Sequence, residues 1–215
     1  MSVESSALLA NPPFPLTAID RQLLAMKDED FHRIDWSDLQ RIIANNALEE
    51  LKRLPSDLRR YLLWSHETKL VYGSITSFVV RERLRWLPSH SVTADEPLSA
   101  TSFSHHSPVP FNDRRDYAVL LNDWPYGFAN DISHIVVWSR TPIAVDDNIG
   151  DVTIDSRDAI AGFVRHYFGD TSEILWFKNW VKLQSVRGVD HVHVLVKKAT
   201  SRQLQEWTSN NSADY

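Results

Sequence analysis

The sequence predicts an α+β fold in which a mainly antiparallel sheet with one packed helix follows a helical subdomain. Apolar residues recur at helical spacing up to about Trp86, and strand-like runs rich in β-branched and aromatic residues begin after Asp116. A single helical stretch interrupts those runs. Strands, one helix, then more strands suit antiparallel pairing better than the repeated βαβ pattern of a parallel sheet.

Residues 1–15 are polar and punctuated by proline, the texture of an arm lying on the surface or without fixed structure. The helical subdomain spans residues 16–87. Its first clear helix starts near Asp35, where Ser37 and Gln40 have capping-box spacing and Leu39, Ile42, Ile43, Leu48 and Leu51 recur on one stripe. Pro55 breaks that pattern just outside a second helix, which Ser56 is placed to cap and which carries Leu58, Tyr61, Leu62 and Trp64. A third helix is expected from Ser74 to Trp86, although Val79-Val80 also suits a strand. Residues 88–112 are rich in Ser, Thr, His and Pro and read as a long surface loop, in which His105 and His106 are solvated.

The α+β domain is expected over residues 113–198. Strands are predicted at Tyr117–Leu121 and Ile135–Trp138, followed by a helix capped by Ser156 that runs through Ile160, Phe163, Val164 and Phe168 to Gly169. Ile174–Phe177, Leu183–Val186 and His191–Val196 then complete the sheet. Residues 199–215 form a C-terminal tail.

Composition narrows the function classes. The 215 residues are 43% hydrophobic, enough to bury a core without disulfides, and the chain has no cysteine. Cysteine catalysis and thiolate metal sites are therefore excluded, and a reducing, cytoplasmic setting is expected, with the nucleus also open. No apolar run is long enough to cross a bilayer, and Met1–Ser6 lacks the basic and apolar stretches of a secretory signal. With 23 basic and 28 acidic residues, the net charge of -5 gives no global attraction to nucleic acid. Basic residues do cluster at Lys52-Arg53, Arg59-Arg60 and Arg81–Arg85, where solvated helix faces are the plain explanation.

The chemistry concentrates in His191-Val192-His193-Val194-Leu195-Val196. Strand alternation would set His191, His193 and Leu195 on one face and three valines on the other. Paired imidazoles suit nucleophilic or acid-base work on a phosphate, since histidine exchanges protons near neutral pH. They also suit metal ligation as a His-x-His pair, for which Asp190, His134 or Asp151 would have to supply a third ligand. The plain alternative is two strand histidines satisfied by their neighbours. The tryptophans read as core anchors except Trp124, which a turn-like stretch displays.

In chain order the second half carries Asn122-Asp123-Trp124-Pro125-Tyr126-Gly127, His134 leading a strand, a helix, Asn179, Gln184-Ser185-Val186, and then His191 and His193. Over residues 116–197 this order resembles the histidine-triad (HIT-like) superfamily. The resemblance implies a HIT-like sheet that binds a nucleotide or sugar nucleotide, with His193 or His191 as the nucleophile toward the α-phosphorus. It also implies Gln184 and Ser185 as donors to the phosphate, Asn179 orienting it or the attacking imidazole, and Asn122 and Trp124 near the base or sugar. Arg187 lies beside that set, as do Lys178, Arg140 and Arg157, for which surface salt bridges are the plainer role. The third histidine slot of that superfamily holds Leu195 when His191 is taken as first, so retention of catalysis stays open. A non-catalytic binding or regulatory module is the alternative, and no cofactor is implied.

A second resemblance spans about Phe31 to Val196. Leu54–Trp64, Leu121–Gly127, Gly150-Asp151, Ser156-Arg157, Trp176–Trp180 and Leu183–Arg187 are similar to the fungal N-acetylglucosamine-induced protein 1 family, a domain of unknown function. That likeness implies a link to the amino-sugar response and no mechanism.

Overall fold

The computed structural model describes residues 3–86, 88, 102–146, 150–169 and 173–209. Helices α1 (Val3–Ala10), α2 (Ala18–Leu24), α3 (Trp36–Ala44) and α4 (Pro55–Tyr72) come first, and α5 (Ile75–Phe78) runs into a π-helical turn at Val79–Leu84. Strands β1 (Tyr117–Leu121) and β2 (Ile132–Ser139) precede α6 (Ile154–Phe168), β3 (Ile174–Phe177), β4 (Asp190–Lys197) and α7 (Ser201–Thr208). The chain is an α+β protein. Most of the long loop, residues 89–101, lies outside the described residues.

The chain divides into two units, and both are discontinuous: residues 1–75 with 123–129, and residues 76–122 with 130–215. The sequence expectation drew contiguous segments instead, at residues 16–87 and 113–198. In the first unit, Leu8, Leu23, Leu24 and Leu58 form a buried cluster, so the segment expected to be a loose arm instead forms a helix with a packed leucine. Residues 123–129 are stitched in by backbone bonds: Ile34 N donates to Gly127 O (2.9 Å), Ala129 N to Ile34 O (3.0 Å) and Gly127 N to Lys52 O (2.8 Å). Gly127 is required by this close approach, because a Cβ there would lie 2.5 Å from the Phe31 ring.

Helix starts differ from the sequence expectation by two or three residues, each for a visible reason. Asp35 caps α3 by accepting from Asp38 N, with Asp38 reciprocating, in place of Ser37 and Gln40. Pro55 occupies the first turn of α4, where its missing N–H has no intrahelical partner to lose. Thr153, three residues before Ser156, caps α6.

In the second unit the four strands form one sheet in the order β1-β2-β4-β3, every neighbouring pair antiparallel. Leu183–Val186 is not a strand: Val181–Leu183 closes a 3-10 turn, and the chain reaches β4 by a loop containing Gly188 in the left-handed region (φ 89°). One face of the sheet buries Val119, Ile135, Val137, Val192, Val194 and Val196 against Ile160, Phe163, Val164 and Phe168 of α6. These α6 residues follow the i, i+3, i+4 spacing of a helical stripe. The segment expected to be a tail contributes α7, whose Leu204 and Trp207 pack on the same core. Among the described residues no helix is long and apolar enough to cross a membrane.

Ile160 is fully buried at the centre of this core. Ile160→Ala is expected to lower the unfolding free energy by about 2–5 kcal/mol. Urea titration followed by circular dichroism measures this, and a change below 1 kcal/mol would show that α6 is not the sheet's packing partner.

Candidate functional site

Strand β4 is paired on both edges, and its register decides what its second face presents. Trp138 is opposite His191, Val136 opposite His193 and His134 opposite Leu195, while Phe177 of β3 faces His193 from the other edge. Residues opposite one another across antiparallel strands share a face. The alternation expected from sequence therefore holds: His191 and His193 point away from the valine core, and both are buried, at 5% and 7% exposure.

A hydrogen-bonded chain of polar side chains runs through this face. Asn179 Nδ2 lies 3.1 Å from His193 Nε2, and His193 Nδ1 lies 2.9 Å from His134 Nε2. Asn179 and His134 thus occupy both ring nitrogens of His193. The amide nitrogen of Asn122 stands 3.2 Å from both ring nitrogens of His134. Gln184 Nε2 donates to the backbone carbonyl of Asn179 at 2.7 Å, steadying that residue from behind. The Phe177 ring stacks on His193, with centroids 4.7 Å apart and planes 14° apart.

His191 stands beside this chain and is held differently. Its ring is 5.4 Å from that of His193 and lies against Trp138 at 4.5 Å. Nδ1 donates to the Val189 carbonyl at 2.9 Å, which leaves Nε2 as the nitrogen carrying the lone pair. Among the described residues no hydrogen bond occupies Nε2. Burial pushes the imidazole down to about 4 from its ordinary 6.5, and the Lys178 ammonium adds to the shift. The Val189 hydrogen bond and the Asp190 carboxylate oppose it. The ring is consequently neutral at physiological pH.

Of the residues singled out from sequence, the structure joins His193, Asn179, Gln184 and Asn122 in one network and sets His191 at its side. Ser185 and Arg187 are exposed, and the Arg187 backbone carbonyl accepts from Thr76 Oγ1 at 2.7 Å. Trp124 belongs to the first unit, its ring 5.0 Å from Trp64 and 5.6 Å from Tyr61, with its carbonyl accepting from Arg53 Nε. The residue that sequence reasoning undervalued is His134. Its signal was positional: it begins the apolar stretch of β2 directly opposite Leu195, so a third imidazole enters the histidine face from a neighbouring strand.

The residues considered as a third metal ligand are otherwise engaged. His134 bonds to His193, Lys178 meets Asp190 at 3.0 Å, and Arg157 meets Asp151 at 2.6 Å. Elsewhere, among the described residues, His106, Asp113 and Asp116 draw together. Their oxygens serve as a loop staple: fully buried Asp116 accepts from the backbone N–H groups of His106 and Ser107, and Asp113 accepts from Arg115. Arg140 lies 4.9 Å over the Trp86 ring.

Comparison with known proteins places these features in a family. Residues 35–197 match the model described as "Protein of unknown function (DUF3605)". N-acetylglucosamine-induced protein 1 of Candida albicans is 30% identical over 194 residues, covering 83% of this chain and 74% of that protein. An uncharacterized protein of Saccharomyces cerevisiae is 28% identical over 167 residues, 75% of this chain and 77% of its own length. The crystal structure of HTC1 superposes with a TM-score of 0.53 at 24% identity, covering 80% of this chain and 92% of that one, a likeness of fold. With three quarters of its length inside that model, the chain belongs to the DUF3605 family, and it is a relative of the N-acetylglucosamine-induced protein 1 of Candida albicans.

Proposed function

We propose that this protein binds a nucleotide or sugar nucleotide in a HIT-like site and acts on its phosphate through a strand histidine, as a hydrolase or transferase. The observation that carries the proposal is the state of His191: neutral, with Nδ1 anchored to a backbone carbonyl and Nε2 left with its lone pair. In the proposed step Nε2 forms a bond to the α-phosphorus, the P–O bond to the leaving group breaks, and the leaving oxygen takes a proton from solvent. Water then cleaves the N–P bond and frees His191. Both nitrogens of His193 are engaged by Asn179 and His134, which leaves the nucleophile's role to His191.

Leu195 in the third histidine slot and the burial of both imidazoles favour a second reading, a binding or regulatory module without turnover. The two readings separate in one experiment. The full-length protein is screened against labelled nucleoside monophosphates, diphosphates and nucleotide sugars, with product analysis and calorimetry in parallel. Turnover that falls by about 1000-fold or more in His191→Ala supports the enzyme. Binding without product supports the module, and absence of binding across the panel overturns both.

The neutral state of His191 also makes a stability prediction. Its folded pKa of about 4 is below the ordinary 6.5, so between those values the unfolded chain binds more protons than the folded one. Stability is therefore expected to fall as pH drops from 6.5 to 4, with about 2 kcal/mol of the loss at pH 5 attributable to His191. Urea unfolding at pH 7 and pH 5 should show a smaller loss in His191→Gln than in the parent. An equal loss would mean that His191 carries a proton in the native state.

A further inference from the structure

Lysine is seldom fully buried, yet Lys178 is only 8% exposed, and its Nζ meets Asp190 Oδ1 at 3.0 Å in an ion pair whose side chains are 6% and 20% exposed. The other carboxylate oxygen, Oδ2, accepts the backbone N–H of Ile143 at 2.9 Å. Two charges taken out of water together are retained where each is held by the other and by further hydrogen bonds, and here the carboxylate has both. What gives the pair meaning is its place in the chain. Lys178 directly precedes Asn179, and Asp190 directly precedes His191.

Ladder pairing between β3 and β4 stops at Phe177 opposite His193. From Lys178 to Val189 the backbone has no strand partner among the described residues, and Val181–Leu183 is its one helical turn, so strand pairing does not fix the separation of its two ends. The ion pair closes this connection at its base. By strand alternation Asp190 shares the face of Val192, and His191 takes the opposite face beside His193, where the Asn179 amide also arrives. The charges lie behind the strand while the amide and the imidazoles are presented in front.

We propose that Lys178 and Asp190 are positioning residues, a buried ionic clasp that closes the β3–β4 connection and holds the Asn179 amide and the His191 imidazole in fixed relation. This rests on reading Asn179 and His191 as site residues, and it goes beyond that reading by assigning a task to two side chains that touch no substrate. The clasp has an electrostatic consequence as well. Lys178 and Asp190 are the charged groups acting on His191, in opposite senses, and His193 is the neighbouring imidazole. Removing the cation alone leaves a buried carboxylate beside the ring, which favours its protonation.

The test uses the full chain and needs no ligand. The His191 ring is titrated by NMR in the parent, Lys178→Met and Lys178→Arg, and amide hydrogen exchange is followed across residues 178–190 in the parent and in the double variant Lys178→Met with Asp190→Asn. The midpoint of His191 is expected to rise by at least one pH unit in Lys178→Met and to return toward the parent in Lys178→Arg. The double variant buries no unpaired charge, so it tests the clasp even where the single variant does not fold. Its exchange should accelerate at least tenfold in residues 178–190 while β1 and β2 stay protected. Exchange unchanged in the double variant, or a His191 midpoint unmoved in folded Lys178→Met, overturns the proposal. Neither readout depends on nucleotide binding, so a negative ligand screen would sink the proposed function and leave the clasp standing.

Discussion

Strand β4 is hydrogen-bonded along both edges, and the rest of the second unit depends on that double pairing. A strand held by two partners cannot slip by one residue without exchanging its faces. A slip would carry Val192, Val194 and Val196 away from α6 and drive His191 and His193 into the apolar core. Each buried imidazole placed there without a partner would cost about 1–3 kcal/mol. The valine stripe therefore enforces the histidine arrangement. Packing on one side of the sheet specifies which side chains occupy the other.

Once those rings are out of water, their polar atoms need partners, and the geometry around them follows from this requirement. His193 satisfies one nitrogen through Asn179 and the other through His134, so a side chain from β2 and one from the β3–β4 connection converge on it. His191 satisfies only Nδ1, through its own backbone two residues away. That asymmetry distinguishes two imidazoles which sequence spacing alone makes equivalent. The ring with an engaged pair of nitrogens acts as a structural hub, and the other keeps its Nε2 lone pair.

Much of this arrangement was legible in the residues, and the exceptions have physical causes. Alternation in His191–Val196 identified the faces of β4, and the α6 stripe from Ile160 to Phe168 identified the helix, because both elements bury one side fully. Caps were misplaced by a residue or more because Ser, Thr and Asp are close competitors for the same N–H groups: Asp35 and Thr153 prevailed over Ser37 and Ser156. Leu183–Val186 looked like a strand on composition, but Val181–Leu183 turns and Gly188 takes a positive φ that a strand does not use. The gathering of Asn122, His134 and Asn179 around His193 was only partly legible. Residues 12 and 14 positions apart meet through strand pairing, and no local pattern records which pairs will face each other. The burial of Lys178 had no local sign either, since its environment is created by a carboxylate 12 residues later.

The stitching of residues 123–129 into the first unit bears on how the chain is made. Helices α1 to α4 are complete by Tyr72, yet Ile34 and Lys52 find their backbone partners only when Gly127 and Ala129 have been synthesised. At translation rates of about 5–20 residues per second, the nascent helical segment waits several seconds with those groups unpaired. The same discontinuity defeats simple dissection. A truncation after the N-terminal helices discards the turn that completes them, so a smaller folding fragment would have to carry the 123–129 segment through a designed linker or a circular permutation.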